Sequence, residues 1–116
     1  MENHPIKNID FSQVIELAGI VDYAPGQVIS RTLSQNKSVS ITVFSFDKGE
    51  EISSHQSTGD ALVYILDGHA SITVGEQNFE LDAGKTIVMP AGVPHAVMAA
   101  EQFKMLLVVV FPSETA

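Results

Sequence analysis

Residues 39–44 read Val-Ser-Ile-Thr-Val-Phe, with Val39, Ile41 and Val43 set against Ser40 and Thr42. A period of two sends alternate side chains to opposite faces, so this segment predicts a strand with one buried face. From about residue 26 onward, short runs rich in Val, Ile, Thr and Phe are separated by turn signals: "SQNKS", "DKG", "STGD", "LDG", "VGEQN", "LDAG", "MPAGVP" and "AAEQ". Such regular punctuation is the rhythm of an all-β sandwich or barrel. Ahead of it, Phe11, Val14, Ile15 and Ala18 fall at helical spacing between a cap at Asp10 and a stop at Gly19. The pattern therefore predicts an N-terminal arm with one short helix over residues 1–25 and a β-domain over residues 26–116.

Two strands depart from simple alternation. In "DALVYIL", residues 61, 63 and 65 share one face and residues 60, 62 and 64 the other, yet Leu62, Tyr64 and Leu66 are as apolar as Ala61, Val63 and Ile65. "KMLLVVVF" alternates only at Lys104, after which Leu106, Val108 and Val110 match Met105, Leu107 and Val109. An antiparallel barrel facing water should show polar residues outside. Left bare, these side chains would exceed the apolar patch a monomer tolerates, and a short helix cannot cover both strands. A homodimer is expected, with a two-fold interface of about 1,200 Å² or more.

Composition narrows the function classes. At 116 residues the chain holds one core, and 45% hydrophobic against 17% charged residues describes an ordered globular protein. A formal charge of −8 repels phosphate backbones, so nucleic acid is not an expected partner. The longest apolar run, "MLLVVVF", is too short for a bilayer, so neither membrane insertion nor a leader is expected and cytoplasm is the default compartment. Cysteine is absent, which leaves imidazole and oxygen as the only metal donors.

Chemistry concentrates in two stretches. "GEEISSHQSTGDALVYILDG" places Gly49, His55, Ser57, Ala61 and Gly68 at intervals of five, one, three and six residues; "GKTIVMPAGVPHAVMA" places Gly84, Pro90, Gly92, His95 and Ala99 at five, one, two and three. These spacings resemble the two motifs of the cupin superfamily. The resemblance implies a cupin-type double-stranded β-helix, a jelly-roll barrel, in which the first motif supplies two histidines and a glutamate and the second a third histidine. Here the second histidine position is Ser57, the glutamate position is Ala61, and the asparagine ending the second motif is Ala99. Only His55 and His95 carry over as metal ligands.

Two histidines fall short of the three protein ligands of catalytic zinc and of the two-histidine, one-carboxylate triad of non-haem iron. Asp60 is the nearest carboxylate, but its parity is outward. The reading preferred on these residues is a small-molecule site: an apolar pocket lined by Ala61, Val63, Ile65, Val97, Ala99, Phe103 and Met105, with His55, Ser57 and His95 as its polar corner. The alternative, again by resemblance, is a metal-dependent dioxygenase or isomerase using iron, manganese, nickel or zinc on His55 and His95. The plain counter-reading is two core histidines satisfied by hydrogen bonds. His4 and His69 are expected on the surface without a role, and Met89, Met98 and Met105 as apolar filling, with Met105 turned inward.

Overall fold

The alternating runs form strands in a computed structural model, which describes residues 4–113 apart from the side chain of His55. Among these residues there are eight strands: β1 (Val28–Gln35), β2 (Val39–Phe46), β3 (Glu51–His55), β4 (Asp60–Val74), β5 (Gln77–Asp82), β6 (Thr86–Met89), β7 (His95–Met98) and β8 (Phe103–Val110). Every pairing is antiparallel. One sheet runs β1-β2-β8-β4-β6 and the other β3-β7-β4-β5, so β4 belongs to both. The result is an all-β barrel, as the spacing of turns predicts, of the jelly-roll kind that the resemblance implies.

The sharing of β4 explains one departure from the sequence reading. "LDG" reads as a turn, but the strand continues through it and bends. Its first half pairs with β8 and β6, its second with β5 and β7, and the register slips between Ile65 and Asp67. Gly68 sits at the bend with φ +79°, where a Cβ would lie 2.0 Å from the Gln102 carbonyl oxygen. Only glycine fits there, because the neighbouring backbone fills the space a side chain needs.

Between the sheets, Phe46, Val63, Ile65, Ala70, Ile72, Ala99 and Phe103 are wholly buried. Phe46 and Phe103 stack at 4.5 Å with an interplanar angle of 12°. Truncating either to alanine would cost about 3–5 kcal/mol by loss of transfer energy plus the cavity left behind. In β4 the parity is as expected: Ala61, Val63 and Ile65 are buried, while Leu62 and Tyr64 are each 39% exposed. Met105 and Met89 are buried and Met98 is exposed.

The short N-terminal helix lies later in the chain, and is tighter and shorter, than the spacing from Asp10 to Gly19 predicts. Residues 10–16 make bends and extended chain, and the only helical piece among the described residues is a 3-10 turn at Leu17–Ile20. Asn8 and Ser12 adopt positive φ, and Val14 is fully exposed. A helix this short must gain its stability from packing. The arm packs through Ile9, Leu17, Ile20 and Val21 instead, against Leu33, Ile41, Val43, Leu66 and Leu106 on the outer face of the β1-β2-β8-β4 sheet. Polar contacts hold it there. The Ser45 hydroxyl donates to the Asp22 carbonyl at 2.7 Å, Lys104 Nζ donates to the Ala18 carbonyl at 2.7 Å, and the same ammonium lies 4.8 Å from the Tyr23 ring centroid. Among the described residues no helix is long and apolar enough to cross a membrane.

Candidate functional site

The two histidine stretches meet where β3 pairs with β7. Ile52 is opposite Val97, and strict alternation from there would set residue 54 against His95. The register instead slips between Ile52 and His55, so one extra residue brings the backbone of His55 opposite His95. A bulge of this kind rephases a strand by one position. The expected convergence of the two rings concerns the His55 side chain and lies outside the described residues. His95 is only 4% exposed, and its Nδ1 has a long 3.4 Å contact with the Val93 carbonyl. No buried side-chain nitrogen or oxygen among the described residues lacks a partner.

The loops beside His95 are tied to one another. The Gly92 amide donates to the Ser57 carbonyl at 2.9 Å, and the Gly59 amide donates to the Ser57 hydroxyl at 3.1 Å. The Ala91 amide donates to the Asp60 carboxylate at 2.8 Å, and the Gly75 amide donates to the Pro94 carbonyl at 2.8 Å. Asp60 is exposed, as its parity requires, and it holds the turn preceding His95. Gly92, at φ +77°, lets that turn close.

Of the other predicted site residues, Ala61, Val63, Ile65, Val97, Ala99, Phe103 and Met105 all lie in one buried cluster between the sheets, each at most 3% exposed. Ser57 is half-buried at the rim. The structure thus brings the seven apolar residues into one interior, and His95 shares the buried face of β7 with Val97. Clefts on the outside are lined by other side chains, among them one of about 950 Å³ between the arm and Arg31 and one of about 510 Å³ beside Tyr23, Lys48 and Asp67.

No cluster of three or more His, Cys, Asp or Glu able to hold a metal occurs among the described residues. Of the donors named from sequence, Asp60 is exposed and engaged by the Ala91 amide, and the positions where the resemblance implies a second histidine and a glutamate are held by Ser57 and Ala61. This donor set does not fit a tightly held ion.

Two polar groupings outside this region have no clear sequence signal. His69, expected to be idle, has Nδ1 2.6 Å from Asp82 and Nε2 2.6 Å from Glu80. A neutral imidazole carries one N–H and could donate only one of these bonds, so the geometry demands the imidazolium. The bonds to Asp82 and then Glu80 raise the His69 pKa, and the bond to His69 lowers that of Glu80. Tyr23 donates to Asp67 at 2.5 Å, and burial, reinforced by that carboxylate, holds its phenol above the ordinary range. Tyr23 and Asp67 are 44 residues apart and His69 reaches its carboxylates through the β4–β5 register, neither of which motif spacing reads.

With this geometry in view, comparison with known proteins is specific. The family model described as Cupin domain matches residues 42–111. The fold is similar to that of a conserved protein of unknown function from Streptococcus pyogenes, 50% identical over 96% of this chain and 97% of that one, with a TM-score of 0.94. A cupin superfamily protein from Desulfitobacterium hafniense is 34% identical over 92% of this chain and 98% of its own, with a TM-score of 0.88. An uncharacterized protein of Streptomyces coelicolor is 27% identical over 81 residues, 70% of this chain and 77% of the relative.

Proposed function

The chain belongs to the cupin family, and on that premise we propose that it binds a small organic molecule at the end of the barrel where β3 meets β7. The observation that carries this reading is His95: a titratable side chain 4% exposed, on the same buried face of β7 as Val97, with a second histidine opposite it in the backbone register. An apolar bed with a few convergent polar groups is the usual form of a small-molecule site. In this reading His55, Ser57 and His95 orient the ligand's polar end. Ala61, Val63, Ile65, Val97, Ala99, Phe103 and Met105 form the floor, and because they are closed from water, binding requires the rim loops 56–59 and 90–94 to part. Alanine at positions 61 and 99, where the resemblance implies glutamate and asparagine, favours an apolar ligand body over a bare ion.

The test is a thermal-shift screen of small organic acids, sugars and phenols, with hits measured by calorimetry. Stabilisation should disappear in His95→Leu and weaken in Ser57→Ala, while His69→Gln retains it. A hit unaffected by either His95→Leu or Ser57→Ala would place the site elsewhere and overturn the reading.

A second reading rests on the register pairing of His55 with His95. It makes the protein a metal-dependent cupin enzyme of dioxygenase or isomerase type, holding iron, manganese, nickel or zinc. The residues present supply only two histidines, so no reaction step is drawn through a metal. Protein purified without chelator or affinity tag should carry well under one metal per chain on the ligand-binding reading. One equivalent, lost on joint replacement of His55 and His95 by alanine, would favour the enzyme.

A further inference from the structure

We propose that the cleft lined by Tyr23, Lys48, Asp67 and Glu101, at the end of the barrel remote from His95, is a second small-molecule site that takes an amino-acid zwitterion. The ligand's ammonium group would lie against the two carboxylates and its carboxylate against Lys48. This site does not depend on what binds at the His95 end.

The path of β4 sets the two ends apart. The strand starts at Asp60, opposite Val110, reaches its bend at Asp67 and Gly68, opposite Lys104 and Phe103, and runs back to Val74, opposite His95. Between the bend and His95 there is thus a strand length of roughly 20 Å.

The walls of the cleft come from four segments distant in sequence, and Asp47 ties three of them together. Its Oδ2 accepts the Gly26 amide at 2.7 Å, and its Oδ1 accepts the Gln102 side-chain amide at 3.0 Å. The bend of β4 is the fourth, set so close to the Gln102 carbonyl that Gly68 has no room for a side chain. Tyr23 is held at its tip by Asp67 and on its ring face by Lys104. The space enclosed is about 510 Å³, an ordinary size for a small-molecule site. Walls fixed in advance spare a ligand the cost of ordering them.

The chemistry lies in the charges this framework leaves over. Asp67 stands opposite Lys104 in register, yet no ion pair joins them, because the ammonium is drawn to the Ala18 carbonyl and the Tyr23 ring. The one protein donor to Asp67 is the Tyr23 phenol, on Oδ2. Burial, and then the carboxylate itself, hold that phenol above its ordinary range, so it stays protonated and donating. Asp67 Oδ1 has no protein donor among the described residues, and there neither the Lys48 ammonium nor the Glu101 carboxylate has a side-chain partner, although both line the same cleft. Charges of both signs that do not neutralise one another within the protein match a ligand that carries both. A simple anion would meet Asp67 and Glu101, and a simple cation would meet Lys48; such like-charge contacts select against either. These groups face water, so each contact is weak and the affinity expected is about millimolar.

Amide-resolved NMR titration of the full chain tests this, with glycine, 4-aminobutanoate and 6-aminohexanoate as zwitterions and butanoate and butylamine as controls bearing one charge. At least one zwitterion should give saturable shifts at the Lys48, Gly68, Glu101 and Gln102 amides and none at Ser57 or His95. Lys48→Gln and Glu101→Gln, both at exposed positions, should each weaken binding about tenfold, as should Asp67→Asn. If Asp67→Asn unsettles Tyr23 and with it the fold, the other two variants still decide the matter. Absence of saturable shifts with all three zwitterions up to about 50 mM would overturn the assignment. So would shifts centred on His95, binding unchanged in Lys48→Gln and Glu101→Gln, or binding of butanoate or butylamine as tight as that of the best zwitterion.

Discussion

Restoring the two missing family ligands, Ser57→His and Ala61→Glu, tests whether positions 55, 57, 61 and 95 surround one point. Consider Ala61→Glu alone. Ala61 is 2% exposed, paired in register with Met89 and Val109, and packed in the main core. Forcing a longer side chain there costs about 1–3 kcal/mol by overpacking. A carboxyl without a partner in that interior stays protonated at pH 7. Against an ordinary pKa near 4.3 this costs about 1.4 kcal/mol for each pH unit, or roughly 4 kcal/mol. The loss of about 5–7 kcal/mol is a large share of the roughly 5–15 kcal/mol by which a domain is stable. The sign follows from linkage: the folded pKa lies above the unfolded one, so the electrostatic part of the loss fades as pH falls through the ordinary glutamate range, leaving the overpacking. In the double variant a divalent metal gives the carboxylate and the new imidazole a partner. Zinc at about one hundred times its dissociation constant adds about 2.7 kcal/mol, near 10 °C in Tm for a chain of this size. Scanning calorimetry of both variants with and without zinc reads this directly. A folded double variant whose Tm ignores zinc would mean that the four positions do not share a centre, and the geometric reasoning about the site would fall with it.

Two further outcomes follow from the backbone and the surface. Gly68→Ala should destabilise the protein by more than about 2 kcal/mol in urea titration, because the residue keeps φ +79° and its Cβ would meet the Gln102 carbonyl at 2.0 Å; a change below about 0.5 kcal/mol would show that the β4 bend is not constrained as described. His69→Gln should lower Tm most in mildly acidic solution. The raised His69 pKa makes its contribution complete below the ordinary histidine range and lost as pH rises through the folded value, while the lowered Glu80 pKa removes its share as pH falls below the carboxylate range. A Tm difference from wild type that is constant from acid to alkaline pH would refute the imidazolium clamp.

Much of this cupin is legible along the chain because strand parity and turn chemistry are local. Alternation in "DALVYIL" places Ala61, Val63 and Ile65 inside and Asp60 outside without reference to any other segment, and Gly49, Gly75, Gly84 and Gly92 fall at turns as their residue type leads one to expect. The motif spacings around His55 and His95 likewise identify the family, since they count residues between fixed points of the barrel. Other features depend on segments distant in sequence. Whether "LDG" ends a strand or bends it was decided by the Gln102 backbone packed against Gly68. The helical spacing of Phe11, Val14 and Ile15 yielded to an extended arm because Leu33, Val43 and Leu106 offered it a face to cover. The bulge after Ile52 put His55, not its neighbour, opposite His95, and His69 acquired its two carboxylates only through the β4–β5 register. A period records which side chains share a face; only the packing of one segment on another decides what that face meets, and the chemistry follows from that meeting.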